Sequence, residues 1–175
     1  RPEKSWNLEI GGHLDKWIGS GHLSGSASVF YILCRDQQIT IFPPGMSTGR
    51  MMANVGRSRS IGAEATLSYG YKGLSVSAAY GYTDARFTQY DDGNNDYSGN
   101  RIPYSPEHTM NFRAGYLFPL TNSSVVRNIS VNADCSGIGR IWWDEANQFV
   151  EPFIAQVGAD VSVAFHWFDL RFRMD

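Results

Sequence analysis

Apolar and polar residues alternate with a period of two through most of the chain, a pattern that predicts β-strands. In the first segment Trp6, Leu8, Ile10, Gly12 and Leu14 share one face, and Asn7, Glu9, Gly11 and His13 share the other. The second sets Leu23, Ala27, Val29, Tyr31 and Leu33 against Ser24, Ser26 and Ser28. The third sets Ile61, Ala63, Ala65, Leu67 and Tyr69 against Ser60, Gly62, Glu64, Thr66 and Ser68. Leu74, Val76, Ala78, Tyr80 and Tyr82 then oppose Ser75, Ser77 and Thr83; Met110, Phe112, Ala114, Tyr116 and Phe118 oppose Thr109, Asn111 and Arg113. Ile129, Val131 and Ala133 oppose Ser130, Asn132 and Asp134, and Phe153, Val157, Val161, Val163 and Phe165 oppose Gln156, Asp160 and Ser162. Leu170, Phe172 and Met174 begin an eighth segment.

Alternation alone fits a soluble sandwich with its apolar face inward or a membrane barrel with the faces exchanged. Two features favour the membrane. The connections alternate in length: short over Asp15 to Gly21, Gly70 to Gly73 and near Trp167, moderate over Pro119 to Asn128, and long over Cys34 to Asn54, Asp84 to Pro106 and Gly137 to Glu151. Tight turns on one side of a bilayer and elaborated loops on the other give this rhythm. Large aromatics also gather at strand ends. Trp17, Tyr69, Tyr71, Tyr116, Phe118, Phe165 and Trp167 mark the short-turn side; Trp6, Tyr31, Tyr82 and Phe153 mark the long-loop side, as interfacial girdles do. The polar face is rich in Ser and Gly, too small to fill a narrow barrel but suited to the wall of a wide lumen. Spanning strands of about 9 to 12 residues are expected.

Composition narrows the function. Charged residues make up 18% of the chain and the net charge is −2, so no basic face tracks a phosphate backbone and nucleic acid is not the expected partner. The apolar runs are too short and too often interrupted for a spanning helix. Cys34 and Cys135 fall on opposite strand faces and are expected to be unbridged. His13, His22, His108 and His166 show no metal-ligand spacing, and no nucleophile elbow is present, so neither a metal nor catalysis is proposed and no cofactor is called for. Asp91-Asp92-Gly93-Asn94-Asn95-Asp96 is rich in oxygen ligands but lacks the calcium-loop spacing and reads as a solvated turn. The long loops lean acidic. Trp142 and Trp143, in one of them, are the ligand-binding candidates, able to stack on a sugar or another ring, or else to pack the loop against its neighbours.

Several stretches together resemble the C-terminal barrel region of TonB-dependent outer-membrane receptors, particularly Bacteroidetes-like ones. They are PEKSWNLEIG, SASVFYILCRDQQI, the NVGRSRSIGAEATLSY strand with Asn54, Gly56, Ser58, Ser60, Gly62 and Glu64, and LSVSAAYGYTDARFTQYDDG. DYSGNRIPYSPEHTMNFRAGY follows, with Gly99, Asn100, Pro103, Pro106, Glu107 and His108 at the return into the next strand. The resemblance implies an all-β, antiparallel up-and-down meander of about eight strands. It would be part of a transmembrane barrel of about 22 strands in the bacterial outer membrane. Residues 1–175 would then be a single barrel segment without the plug domain or the final strand. The implied activity is uptake of a ferric siderophore, haem, cobalamin or glycan, with membrane lipid, a small nutrient and TonB, reached through the plug-side N-terminal region, as partners.

The competing class is a small eight-stranded outer-membrane barrel, or a soluble β-domain with a binding or structural role. For an isolated piece in water, the size of the apolar face predicts that the sheet curls or pairs to bury Leu67, Val76, Tyr80, Phe112 and Val161.

Overall fold

The computed structural model describes residues 2–41, 51–93 and 95–175. It contains ten strands and, among the described residues, no helix: β1 Lys4–Ile18, β2 Gly21–Ile41, β3 Met51–Tyr71, β4 Leu74–Tyr90, β5 His108–Pro119, β6 Val126–Ile138, β7 Ile141–Trp142, β8 Val150–Glu151, β9 Ile154–Phe165 and β10 Asp169–Met174. Eight form one antiparallel sheet in the order β1-β2-β3-β4-β5-β6-β9-β10; β7 and β8 pair separately as a small hairpin in the loop between β6 and β9. The sheet is open, since β1 and β10 do not meet. A closed eight-stranded barrel is therefore not what these strands make.

The register keeps the apolar positions in line from edge to edge. Ile10 faces Val29, which faces Ala63, which faces Tyr82; on the other side Ala78 faces Phe112, Phe112 faces Cys135, and Cys135 faces Val157. A slip of one residue would send every one of these side chains to the opposite face, so alternation itself fixes the register. The polar rows align in the same way: Asp15 with Ser24, Ser24 with Ser68, Ser68 with Ser77, and Ser77 with Arg113. Both cysteines are free; Cys34 faces Ser58 on the polar side and Cys135 faces Phe112 on the apolar side.

Two of the tight turns have two residues each, Gly19-Ser20 and Lys72-Gly73, and both begin with a positive φ (62° at Gly19, 51° at Lys72). Two-residue hairpins need that mirror-image geometry to match the twist of their strands. The wider short-side turns are tied by hydrogen bonds. Ser123 Oγ accepts from the backbone N–H of Val126 at 3.0 Å, and Arg127 donates to the Phe165 carbonyl at 2.8 Å. Trp17 and Trp167 stand 72% and 77% exposed at this end, with Phe165 stacked on Phe168 at 4.6 Å.

The strands run longer than the 9 to 12 residues expected: β2 and β3 have 21 each and β4 has 17. The band between Trp6 and Trp17 accounts for the expected length. Its eleven steps at about 3.4 Å, tilted about 45°, span roughly 26 Å, the height of an outer-membrane apolar belt. The surplus continues past the belt on the long-loop side, so much of what reads as loop before Asn54 and after Asp84 is strand; the tip at 42–50 lies outside the described residues.

The expected burial of the apolar face does not occur within the chain. Leu67, Tyr80, Phe112 and Val161 are 41–52% exposed, and Val76 is half-buried. The sheet has the openness of a wide barrel wall and does not fold its apolar side onto itself; that side is built for a solvent other than water.

Candidate functional site

Above the belt, the end of β4 and the loops that follow β4 and β6 form a compact annex. It begins with a bulge: Ser58 pairs with Phe87 but Arg57 pairs with Gln89, so Thr88 is the extra residue on β4. A bulge re-aims the side chains beyond it. Here it brings Phe87 and Tyr90, three apart, onto the same side, where their rings meet edge-on at 4.8 Å and each is 2% exposed. Tyr97 adds a third ring 5.2 Å from Tyr90.

The loop after β4 then folds back along it. Gly99 N–H donates to the Phe87 carbonyl, Phe87 N–H to Asn100, and Ile102 N–H to Ala85, at 2.8, 2.9 and 3.1 Å. Gly99 has φ 90°, a conformation open to glycine and unfavourable for other residues, which explains a glycine at this reversal. Three aspartates close the tip locally, each accepting a backbone N–H: Asp91 from Gly93, Asp92 from Asn95 and Asp96 from Ser98. The Ser98 bonds hold the Asp96 carboxyl below its ordinary value. Burial, followed by the charges of Glu145 and Asp92, pushes the Tyr90 hydroxyl up to about 12.

The loop after β6 lies across this return. Asn147 accepts from Arg101 N–H at 2.7 Å and donates to the Arg101 carbonyl at 3.0 Å, mimicking a strand partner from 46 residues away. Asn100 donates to the Glu145 carbonyl at 2.8 Å, and Tyr104 N–H to the Trp142 carbonyl at 2.9 Å. The Asp144 carboxylate accepts from Gln148 and Phe149 N–H and so shapes the β7–β8 turn.

An ion network pins the base of the annex. Asp84 receives Arg86 at 2.8 Å, Arg101 at 3.2 Å and Arg59 at 3.8 Å. Glu107 receives Arg101 at 2.8 Å and Arg140 at 3.1 Å. Both carboxylates are largely shielded from water, which raises the cost of breaking either pair. Just below, the Tyr80 hydroxyl and His108 Nδ1 are 2.8 Å apart.

The two tryptophans sit at the open side of this annex with different surroundings. Trp142 is half-buried in β7, whereas Trp143 is 46% exposed and meets Tyr104, 70% exposed, edge-on at 5.5 Å. Phe149, 66% exposed, lies in the same loop, and its carbonyl accepts from Trp143 N–H at 3.0 Å. The sequence offers Trp142 and Trp143 as candidates; Tyr104 and Phe149, which the fold sets beside Trp143, carry no sequence signal beyond being aromatics in a loop. Gly99, Asn100, Glu107 and His108, noted through the family resemblance, are the residues that fasten the return. His13 stands on the polar face opposite Ser26, remote from the annex.

The polar face carries a second cluster. Asp160, with only 3% of its side chain exposed, accepts from Asn132 at 2.9 Å and Arg171 at 2.8 Å, and Arg173 lies 3.7 Å from Asp134. The charges of this polar face are paired across β6, β9 and β10.

Residues 1–175 match the family model described as TonB dependent receptor-like, beta-barrel. Among solved structures, the chain is similar to the siderophore receptor PiuA from Acinetobacter baumannii (22% identity, TM-score 0.71, covering 97% of this chain and 23% of that one). It is also similar to BauA, the ferric preacinetobactin receptor of the same organism (14% identity, TM-score 0.72, 98% and 24%). A third likeness is to the ferric yersiniabactin uptake receptor FyuA from Yersinia pestis (20% identity, TM-score 0.69, 91% and 22%). The chain thus spans about a quarter of the length of the structures it matches.

Proposed function

Because the chain belongs to the TonB-dependent receptor β-barrel family, an outer-membrane family of receptors and not of enzymes, we propose that it supplies barrel wall and outer loops to a receptor for active uptake of a ferric siderophore. Residues 1–175 are then one uninterrupted segment of that barrel, and the plug and the closing strand belong to the remainder of the receptor. The observation that carries the reading is the edge-to-edge apolar register topped by a folded annex, which divides the sheet into a lipid-facing belt and an outer, water-facing portion. The siderophore is favoured over haem, cobalamin or glycan because the solved structures of like fold are named as a siderophore receptor and as receptors for ferric yersiniabactin and ferric preacinetobactin. In this reading the energy for uptake comes from the inner membrane through TonB, which reaches the receptor by its plug-side region.

Trp143, with Tyr104 and Phe149 beside it, offers aromatic faces to a ring-bearing ligand at the outer mouth. Trp142 holds the loop through its backbone.

A deletion of the full-length gene tests the substrate class. Growth should fail when a ferric siderophore is the iron source and persist on haem, cobalamin and glycans; failure confined to one of those three would overturn the siderophore reading. Trp143→Ala in the full receptor should weaken ligand binding about tenfold, a typical cost for an exposed aromatic contact. Unchanged affinity would remove Trp143 from the site.

A further inference from the structure

Among the described residues, the polar face below the annex carries three arginines: Arg113 on β5, and Arg171 and Arg173 on β10. The two on β10 are paired. Arg171 meets Asp160 at 2.8 Å, and Arg173 meets Asp175 at 2.6 Å and Asp134 at 3.7 Å. Arg113 differs from both. The register sets Asp134 directly opposite it, an arrangement that ordinarily stabilises a strand pair, yet that carboxylate is engaged by Arg173. Arg113 is exposed and makes no ion pair or side-chain hydrogen bond among the described residues.

On the other side of its strand Arg113 lines a recess of about 300 Å³ with Ser68, Gly70, Ser75 and Ser77 of β3 and β4. In one row Ser68 faces Ser77, which faces Arg113; in the next, Gly70 faces Ser75, which faces Gly115. A side-chain carbon at Gly115 would stand 3.1 Å from Ser75 Oγ, so the glycine keeps the rim of the recess clear. The three serine hydroxyls make no side-chain hydrogen bond among the described residues. One guanidinium and three hydroxyl donors thus line a space that no acid lines. It lies toward the short turns, since Gly70 is two residues from Lys72, and is distinct from the aromatics around Trp143.

Such a lining fits a negative acceptor. A planar carboxylate meets a guanidinium with two parallel hydrogen bonds, and its single charge matches the single cation. A phosphate dianion would leave an excess negative charge one strand from Asp134.

We propose that Arg113, with Ser68, Ser75 and Ser77, forms a carboxylate-binding site on the inner wall of the barrel. The carboxylate comes from an acidic side chain of the receptor's remainder or from a small organic acid in the lumen. The proposal rests on the reading of the polar face as the inside of an outer-membrane barrel.

The test uses the full-length receptor, purified in neutral detergent and carrying Arg113→Lys, treated with a water-soluble carbodiimide that joins an amine to a carboxylate in contact as an amide. Mass spectrometry of the digest then reads the partner of position 113. An amide to an Asp or Glu outside residues 1–175 identifies the receptor's own carboxylate. With ¹³C-labelled acetate added, an acetyl adduct at position 113 that saturates, while Lys4, Lys16 and Lys72 rise linearly, identifies the free acid. In either case adding Ser75→Ala/Ser77→Ala should lower the yield about tenfold, through loss of two hydroxyl donors. An amide to Asp134 alone, no amide and no saturable adduct at position 113, or a yield unchanged by the serine substitutions would each overturn the proposal. Arg113→Lys keeps the charge at an exposed position, so folding should survive, checked by heat-dependent gel mobility. Quenching by brominated lipid of the fluorescence added by Phe112→Trp separates the two levels, because Phe112 is the outward neighbour of Arg113. Absent quenching removes the outer-membrane reading and this proposal with it; quenching without the cross-link or adduct removes the proposal alone.

Discussion

The belt and the annex are built on the same strands yet have opposite interiors. In the belt, Trp6, Leu8, Ile10, Leu67 and Phe172 are each more than half exposed, and the sheet has no core of its own. In the annex, a few residues farther along β4, Ala85, Phe87 and Tyr90 are the buried apolar side chains found among the described residues. Lipid takes the place of a core for the first region. The second stands in water and must bury apolar surface and pair its charges within itself. One sheet thus meets two solvents, and the boundary falls near Tyr82 and His108, where the outward row changes from aromatic to charged.

That contrast can be broken at several points, each tested in the complete receptor. The largest effect should come from Phe87→Ala, which opens a cavity in the annex and costs about 3 to 5 kcal/mol locally. Hydrogen exchange should rise across 95–107 and 139–151 while the belt strands keep their protection. Uniform loosening of the whole barrel would show that the two regions are one cooperative unit.

Phe112→Arg probes the other side. Phe112 lies between the girdles, facing Ala78 and Cys135. A guanidinium there should destabilise the barrel by about 2 to 4 kcal/mol in denaturant titrations from lipid vesicles. A neutral outcome would mean that this face does not meet lipid.

Asp84→Asn should have a smaller effect, about 1 to 2 kcal/mol, because Arg59, Arg86 and Arg101 would share a site without the carboxylate that gathers them while some water still reaches them. Exchange of the Arg86 and Arg101 amides reports it. Weakest, and visible only at extreme pH, is the titration of Tyr90. Its folded value of about 12 is raised above the ordinary 10, so its contribution is complete below pH 10 and is lost as pH rises toward 12. Annex tyrosine absorbance and exchange should change together over that window, and Tyr90→Phe should abolish the change.

The face assignment, the aromatic girdles and the side on which turns are short were all legible from residues two apart. Trp17 and Trp167 are exposed at the short-turn end, and every apolar row from Ile10 to Val157 stays in register. What the alternation understated was the length of the strands. Above the belt, alternation breaks down because the chain faces water and a folded loop in turn, so Arg86 to Tyr90 read as loop although they are strand.

The sequence by itself determined which side of each strand meets lipid, because side-chain direction in a strand follows from position alone and a slip of one residue would reverse it. Tertiary structure alone decided the annex. Asp84 gathers arginines from β3, β4 and the return loop, Asn147 pairs with the backbone of Arg101, and a single extra residue at Thr88 turns Phe87 and Tyr90 to one side. These contacts join residues up to 46 positions apart, whose meeting depends on how two loops fold over one strand end and leaves no periodic trace in the chain.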